Sequence, residues 1–195
     1  MYFYSKIFPN SLVFIGSLSL LNACAPTLIE TGSSVVDVET QDRGAKGVFN
    51  DTEIRAQIDA AWLRKSPSLF INLGLEVQNG CVLLTGSVTN SKAREEAAIL
   101  AGQVKGVKAV YDEIKIGEPH SFGDKAEDMW ISTKIRTELF ATSGIHSNNY
   151  SITTFNGVVY LIGIAQNQQE LKNALQIIKE IKGVKKIVNH MEIKN

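Results

Sequence analysis

Apolar positions recur along the chain in two sets with the same spacing. Ile54, Ile58 and Trp62 fall four apart, as Ile131, Ile135 and Leu139 do, which predicts a helix with one buried stripe in each set. Leu73, Leu75 and Val77 then alternate with their neighbours, and Tyr150 and Ile152 do the same, predicting a strand with one buried face. Asn79-Gly80 and Asn156-Gly157 come next. Asn-Gly is the strongest short hairpin signal, because both central positions of that turn want positive φ. A second strand follows in each set, carrying Val82 and Leu84 or Val159 and Leu161, closed by Gly86 or Gly163. Asn90 and Asn167 read as helix N-caps, with Glu170 completing a capping box. Ala97, Ala101 and Val104 match Ala174, Ile178 and Ile181 as a buried helical stripe, and Gly106 and Gly183 read as helix C-caps. A last strand is predicted near 108–116 and near 185–193.

A constant offset of 77 superposes the two sets without a gap, with seventeen of 66 positions identical. The chain is therefore a duplication. Each copy reads αββαβ, an α+β unit in which a right-handed crossover places two helices on one face of a small three-stranded mixed sheet. The copies are assigned to residues 51–116 and 128–195, joined by a linker, 117–127, that contains Pro119 and Gly123. A unit of this size has a marginal core, so packing of one copy on the other is an expected support.

The first 23 residues read as a secretory signal: a positive start with Lys6, a short apolar stretch from Leu12 to Leu21, and a small-residue end. The stretch is too short to span a bilayer comfortably. Leu21-Asn22-Ala23-Cys24 resembles a bacterial lipobox, which would place a diacylglycerol thioether on Cys24; an ordinary signal or anchor with a chance cysteine is the alternative. Multiple acyl chains would make the attachment effectively permanent. Ala25 is consistent with sorting to the outer membrane. Residues 24–50 hold no sustained apolar period and read as a tether. Cys81, in an apolar run, reads as a small buried hydrophobe, with a redox or intermolecular site in an oxidising compartment as the alternative.

Charge is balanced, with 20 basic and 20 acidic side chains, and 44% of residues are hydrophobic. That balance argues against nucleic-acid binding through bulk attraction and against a disordered acidic chain. It hides a difference between the copies: the first has eight basic and eight acidic groups, the second seven and five. Lys172, Lys179 and Lys182 share a sector of the last helix. The three histidines, His120, His146 and His190, show no metal-ligand spacing, and neither a nucleophile elbow nor a phosphate loop occurs. No enzyme is expected, and no cofactor.

Two αββαβ units with Asn-Gly hairpins and Lys-Gly-Val-Lys before the last strand resemble BON domains. The most specific stretches are 110–114, 117–119 and 128–136. Behind a lipobox, the arrangement resembles the dual-BON lipoproteins of the outer membrane. That resemblance implies a lipid-anchored protein on the periplasmic face of the outer membrane. It further implies binding to anionic phospholipid through the first helix of the second domain, and a role in envelope integrity with enrichment at division sites. Its tryptophan contact maps to Trp130.

The residues supply a separate argument for that contact. Trp130 lies far round the helix from the stripe of Ile131, Ile135 and Leu139, with Thr133, Lys134 and Thr137 beside it. It aligns with Glu53 of the first copy, so the fold does not demand an apolar group there. Trp62, which aligns with Leu139, is expected in the core. An indole prefers the headgroup level and a lysine attracts anionic phosphate, so Trp130, Thr133, Lys134 and Thr137 form a candidate phospholipid site. Packing of Trp130 on the other copy or on the linker is the alternative. The rival functional class is a protein-interaction adaptor or chaperone, with outer-membrane assembly, division-associated or peptidoglycan-associated partners.

Overall fold

The computed structural model describes residues 44–194; the predicted signal, Cys24 and the tether as far as residue 43 lie outside the described residues. Helix α1 (Gly44–Lys65) and a short helix α2 (Pro67–Asn72) precede a hairpin of β1 (Leu73–Gln78) and β2 (Cys81–Val88). Helix α3 (Ser91–Gly102) then crosses to β3 (Ala109–Asp112) and β4 (Lys115–Ile116). The second copy repeats the plan with α4 (Phe122–Ala141), β5 (Tyr150–Phe155), β6 (Val158–Ala165), α5 (Gln168–Glu180) and β7 (Lys186–Ile193). In each copy the second strand is central, antiparallel to the first and parallel to the last. This is the α+β architecture read from the sequence. In the first copy β3 and β4 both pair with β2, so the last strand is interrupted; β7 runs unbroken beside β6.

Both Asn-Gly dipeptides form the predicted turns, with φ of 55° and 77° at Asn79 and Gly80 and 54° and 76° at Asn156 and Gly157. A device absent from the turn itself holds each one. The Asp51 carboxylate, on α1, accepts from the backbone N–H of Asn79 and of Gly80, each at 2.8 Å. Asp128 on α4 does the same for Asn156 at 2.6 Å and Gly157 at 2.8 Å. Two donors of a tight turn, the glycine's buried, are thereby satisfied by a buried carboxylate, a charge-assisted pairing stronger than a neutral one.

Helix α1 begins at Gly44, within the residues read as tether, and three further features differ from the sequence expectation for local reasons. Helix α4 starts at Phe122, within the segment read as linker. The Ser121 side chain accepts from the Asp124 N–H and Asp124 places a carboxylate in the first turn, so a cap overrides the Pro-Gly signal. Gly106 and Gly183 are not helix C-caps: α3 and α5 end at Gly102 and Glu180. They sit in the following turn at positive φ, where Gly183 lets the chain pass so close that a Cβ would stand 2.8 Å from Ile131 Cδ1. Glu170 accepts from the N–H of Gln166 rather than of the N-cap Asn167, because its buried carboxylate also takes the His146 N–H and the Tyr150 hydroxyl.

Each copy has its own core between helices and sheet. Ile54, Ile58 and Trp62 meet Val82, Leu84, Ala97 and Ala101 in the first; Ile131, Ile135 and Leu139 meet Ile152, Val159, Leu161, Ala174 and Ile178 in the second. Trp62 is fully buried, and its indole N–H donates to the Ala97 carbonyl at 3.1 Å. The two copies lie in one compact unit. The intervening residues of the central strands, Leu83 of β2 with Tyr160 and Ile162 of β6, point away from their own helices and share a third buried cluster with Phe155. Both faces of the central strands are thus covered, which explains why they read as continuous apolar runs. Polar links reinforce the junction: Ser151 donates to Glu76 at 2.7 Å, His190 Nε2 lies 3.1 Å from Glu113 Oε1, and the His190 ring stacks on Tyr111 at 4.3 Å.

Candidate functional site on helix α4

Helix α4 is amphipathic in an unusual sense: it has an apolar stripe on each side. The inner one is Ile131, Ile135 and Leu139, completely buried. On the outer side Phe122 is 89% exposed, Met129 69%, Trp130 53% and Phe140 76%. At 100° per residue Phe122, Met129 and Phe140 fall within about 20° of one line, and Trp130 stands beside them. Thr133 and Thr137 fill the gaps. With a 1.5 Å rise the outer stripe is about 27 Å long. In the first copy the aligned sequence positions hold Ala45, Thr52, Glu53 and Leu63. The fold therefore does not require the stripe. Phe122, Met129 and Phe140 were not anticipated; the signal that would have found them is the cap at Ser121, which extends the helix to Phe122.

The candidate residues of the phospholipid site all lie on this outer side, but their polar groups are differently committed. Trp130 stays half-exposed. It lines a groove of about 280 Å³ with Ile177, Ile181 and Lys182 of its own copy. Lys134 Nζ is 2.6 Å from Glu138 Oε1, so its charge is shared with a carboxylate one turn away. The Thr137 hydroxyl donates to the Thr133 carbonyl at 3.0 Å. On the opposite flank of the stripe stand Lys125 and Arg136. Arg136 donates through Nη2 to the Ile152 carbonyl on β5, and no carboxylate among the described residues lies within ion-pair distance of it. Cations thus border the apolar stripe on both sides.

His120 occupies the end of this surface. Its ring packs on Phe155 with centroids 4.5 Å apart, and its Nε2, buried, stands 3.3 Å from Asp128 Oδ2. Burial and the adjacent Glu170 carboxylate push the Tyr150 hydroxyl well above the usual phenol range. Cys81 is half-buried on β2, and desolvation raises its thiol. Among the described residues no group of three or more His, Cys, Asp or Glu side chains is placed to hold a metal ion, and no helix is long and apolar enough to cross a membrane.

Comparison with known proteins places this architecture. Residues 50–118 and 127–195 each match the model of the BON domain. The chain belongs to the BON domain family. A protein of Anaplasma centrale encoded in the gshII 5′ region is 40% identical over 65% of this chain and 85% of its own length. The outer membrane lipoprotein DolP of Haemophilus influenzae is 27% identical over 90% of this chain and 91% of its own. A 21 kDa hemolysin of Actinobacillus pleuropneumoniae is 29% identical over 80% of this chain and 74% of its own.

Proposed function

We propose that this protein is a BON-domain lipoprotein of the bacterial envelope, held by acylated Cys24 on the periplasmic face of the outer membrane. Helix α4 of its second domain lies on anionic phospholipid. The observation that carries the reading is the outer stripe of Phe122, Met129, Trp130 and Phe140, bordered by cations and absent from the aligned positions of the first copy. An exposed apolar band of this kind marks an interaction surface. A helix with an apolar face and basic flanks suits the interface plane of a bilayer, where apolar area and attraction to anionic headgroups act together. The likeness to an outer membrane lipoprotein over 90% of the chain supports the location. The role is non-catalytic: support of envelope integrity, concentrated where the cell divides.

The chain has two tryptophans and one, Trp62, is sealed in the core, so a change in indole emission reports on Trp130. Titration with phosphatidylglycerol vesicles is expected to shift that emission to the blue, with a weaker response to phosphatidylcholine. An unchanged spectrum with both refutes the membrane reading. Crosslinking from position 130 in cells that yields protein adducts and no lipid would replace it with the adaptor reading.

A further inference from the structure

Helix α4 offers two cationic flanks, and they are not equivalent. On the Trp130 flank, Lys134 is paired with Glu138, and Glu180 lines the same groove. On the other flank an open trough of about 450 Å³ lies between α4 and the turn that leads into β5. Thr137 and Phe140 line it from the helix, Ser147 and Asn148 from the turn, and Tyr150 from the strand, with Arg136 between them. We propose that this trough receives the phosphodiester of an anionic phospholipid, with Arg136 as the group that pairs with it. The proposal rests on the reading that α4 meets the membrane.

Three observations support it. Arg136 is aimed but not neutralised: Nη2 is fixed by the Ile152 carbonyl, and no carboxylate among the described residues pairs with it. A guanidinium held this way keeps further N–H donors in a planar fork that matches two phosphate oxygens. The buried carboxylate behind Tyr150, Glu170, already accepts from the Tyr150 hydroxyl and from the N–H groups of His146 and Gln166. Second, the trough opens onto the outer stripe through Phe140, so acyl chains against the stripe would bring a headgroup to Arg136. Third, the duplication supplies a control. Positions 136, 147 and 148 align with Asp59, Phe70 and Ile71. The first copy therefore has a carboxylate and two bulky apolar side chains where the second has a guanidinium, a hydroxyl and an amide. The backbone differs here too, a six-residue helix in the first copy against a single 3-10 turn in the second, so the trough and its guanidinium belong to the second copy alone.

The test uses the full chain, with cosedimentation and Trp130 emission on phosphatidylglycerol and phosphatidylcholine vesicles. Arg136→Gln is expected to weaken binding to phosphatidylglycerol about fivefold while leaving phosphatidylcholine unchanged, since one basic group near an anionic surface contributes on that scale. Arg136→Lys should recover part of the loss. Because Arg136→Gln also removes the bond to Ile152, a second variant keeps that bond: Ser147→Phe with Asn148→Ile crowds the trough and should give the same selective loss. Near-wild-type binding to phosphatidylglycerol by both variants overturns the proposal. If Trp130→Ala then still abolishes binding to both vesicles, the membrane reading stands without the trough; if Trp130→Ala is also silent, that reading has failed as well. The guanidinium resonance of Arg136 separates the phosphate sources. A shift in phosphatidylglycerol micelles but not in millimolar glycerol phosphate or inorganic phosphate supports a lipid site. An equal shift in soluble phosphate overturns it in favour of a free-phosphate site.

Discussion

Replacing Asp128 by alanine tests the clamp that joins α4 to its hairpin. The carboxylate is buried and accepts from two backbone donors, Asn156 N–H at 2.6 Å and Gly157 N–H at 2.8 Å. Alanine leaves both donors of the turn without that acceptor. Each donor so orphaned costs about 1–3 kcal/mol, giving a loss of about 2–6 kcal/mol in all. For a folded unit of roughly 150 residues each kcal/mol is about 2–4 °C in Tm, so a fall of about 4–24 °C is expected. Asp128→Asn should recover little, because its amide can present only one acceptor and turns a donor toward the other N–H. Asp51 makes the same pair of contacts with Asn79 and Gly80, so Asp51→Ala should cost a similar amount. Urea unfolding followed by far-UV circular dichroism reads both variants. A loss below about 0.5 kcal/mol for Asp128→Ala, the range of an ordinary surface change, would refute the clamp.

Trp130→Ala should weaken vesicle binding about 70-fold by cosedimentation: roughly 100 Å² of ring is free to be covered, which at ~25 cal/mol per Å² is about 2.5 kcal/mol. A change under about threefold would remove Trp130 from the contact. Burial, with Glu113 adding to it, pushes the Tyr160 phenol up to about 12 from an ordinary 10. A raised folded pKa stabilises the fold fully below pH 10, and that contribution is lost as pH rises from 10 through 12. Chemical denaturation across that window should show stability falling, with a shallower fall in Tyr160→Phe; equal slopes would contradict the assignment. Gly183→Ala combines a φ of 94° with a Cβ 2.8 Å from Ile131, and should lower stability by about 1–3 kcal/mol in the same unfolding assay.

Much of the fold was legible because it was written twice. The spacing of Ile131, Ile135 and Leu139 sufficed for the inner face of α4, and Asn156-Gly157 for the hairpin. The clamp by Asp128 was not legible: an Asp 28 residues before a turn has no local signature. The outer stripe was half-legible. Trp130 stood out against Glu53, but Pro119 and Gly123 disguised the start of the helix, so Phe122 fell in a linker and the line from Phe122 through Met129 to Phe140 went unseen. Lys134 looked free because the sequence displays its charge and not the geometry that ties it to Glu138. Arg136 was overlooked for the converse reason: its availability depends on what β5 and the turn before it bring near, which is tertiary information. Leu83, Tyr160 and Ile162 showed as apolar, but nothing local names the surface that covers them.

That shared cluster bears on how the duplication arose. A single αββαβ unit would turn residues such as Tyr160 and Ile162 to water on the back of its sheet. Here the other copy hides them. An ancestor with one unit would have met the same need by pairing with itself. Joining two genes end to end would then have replaced an encounter between molecules by a covalent neighbour. Once the neighbour was guaranteed, the two outer surfaces no longer had to match, and one helix could take up work the other never does.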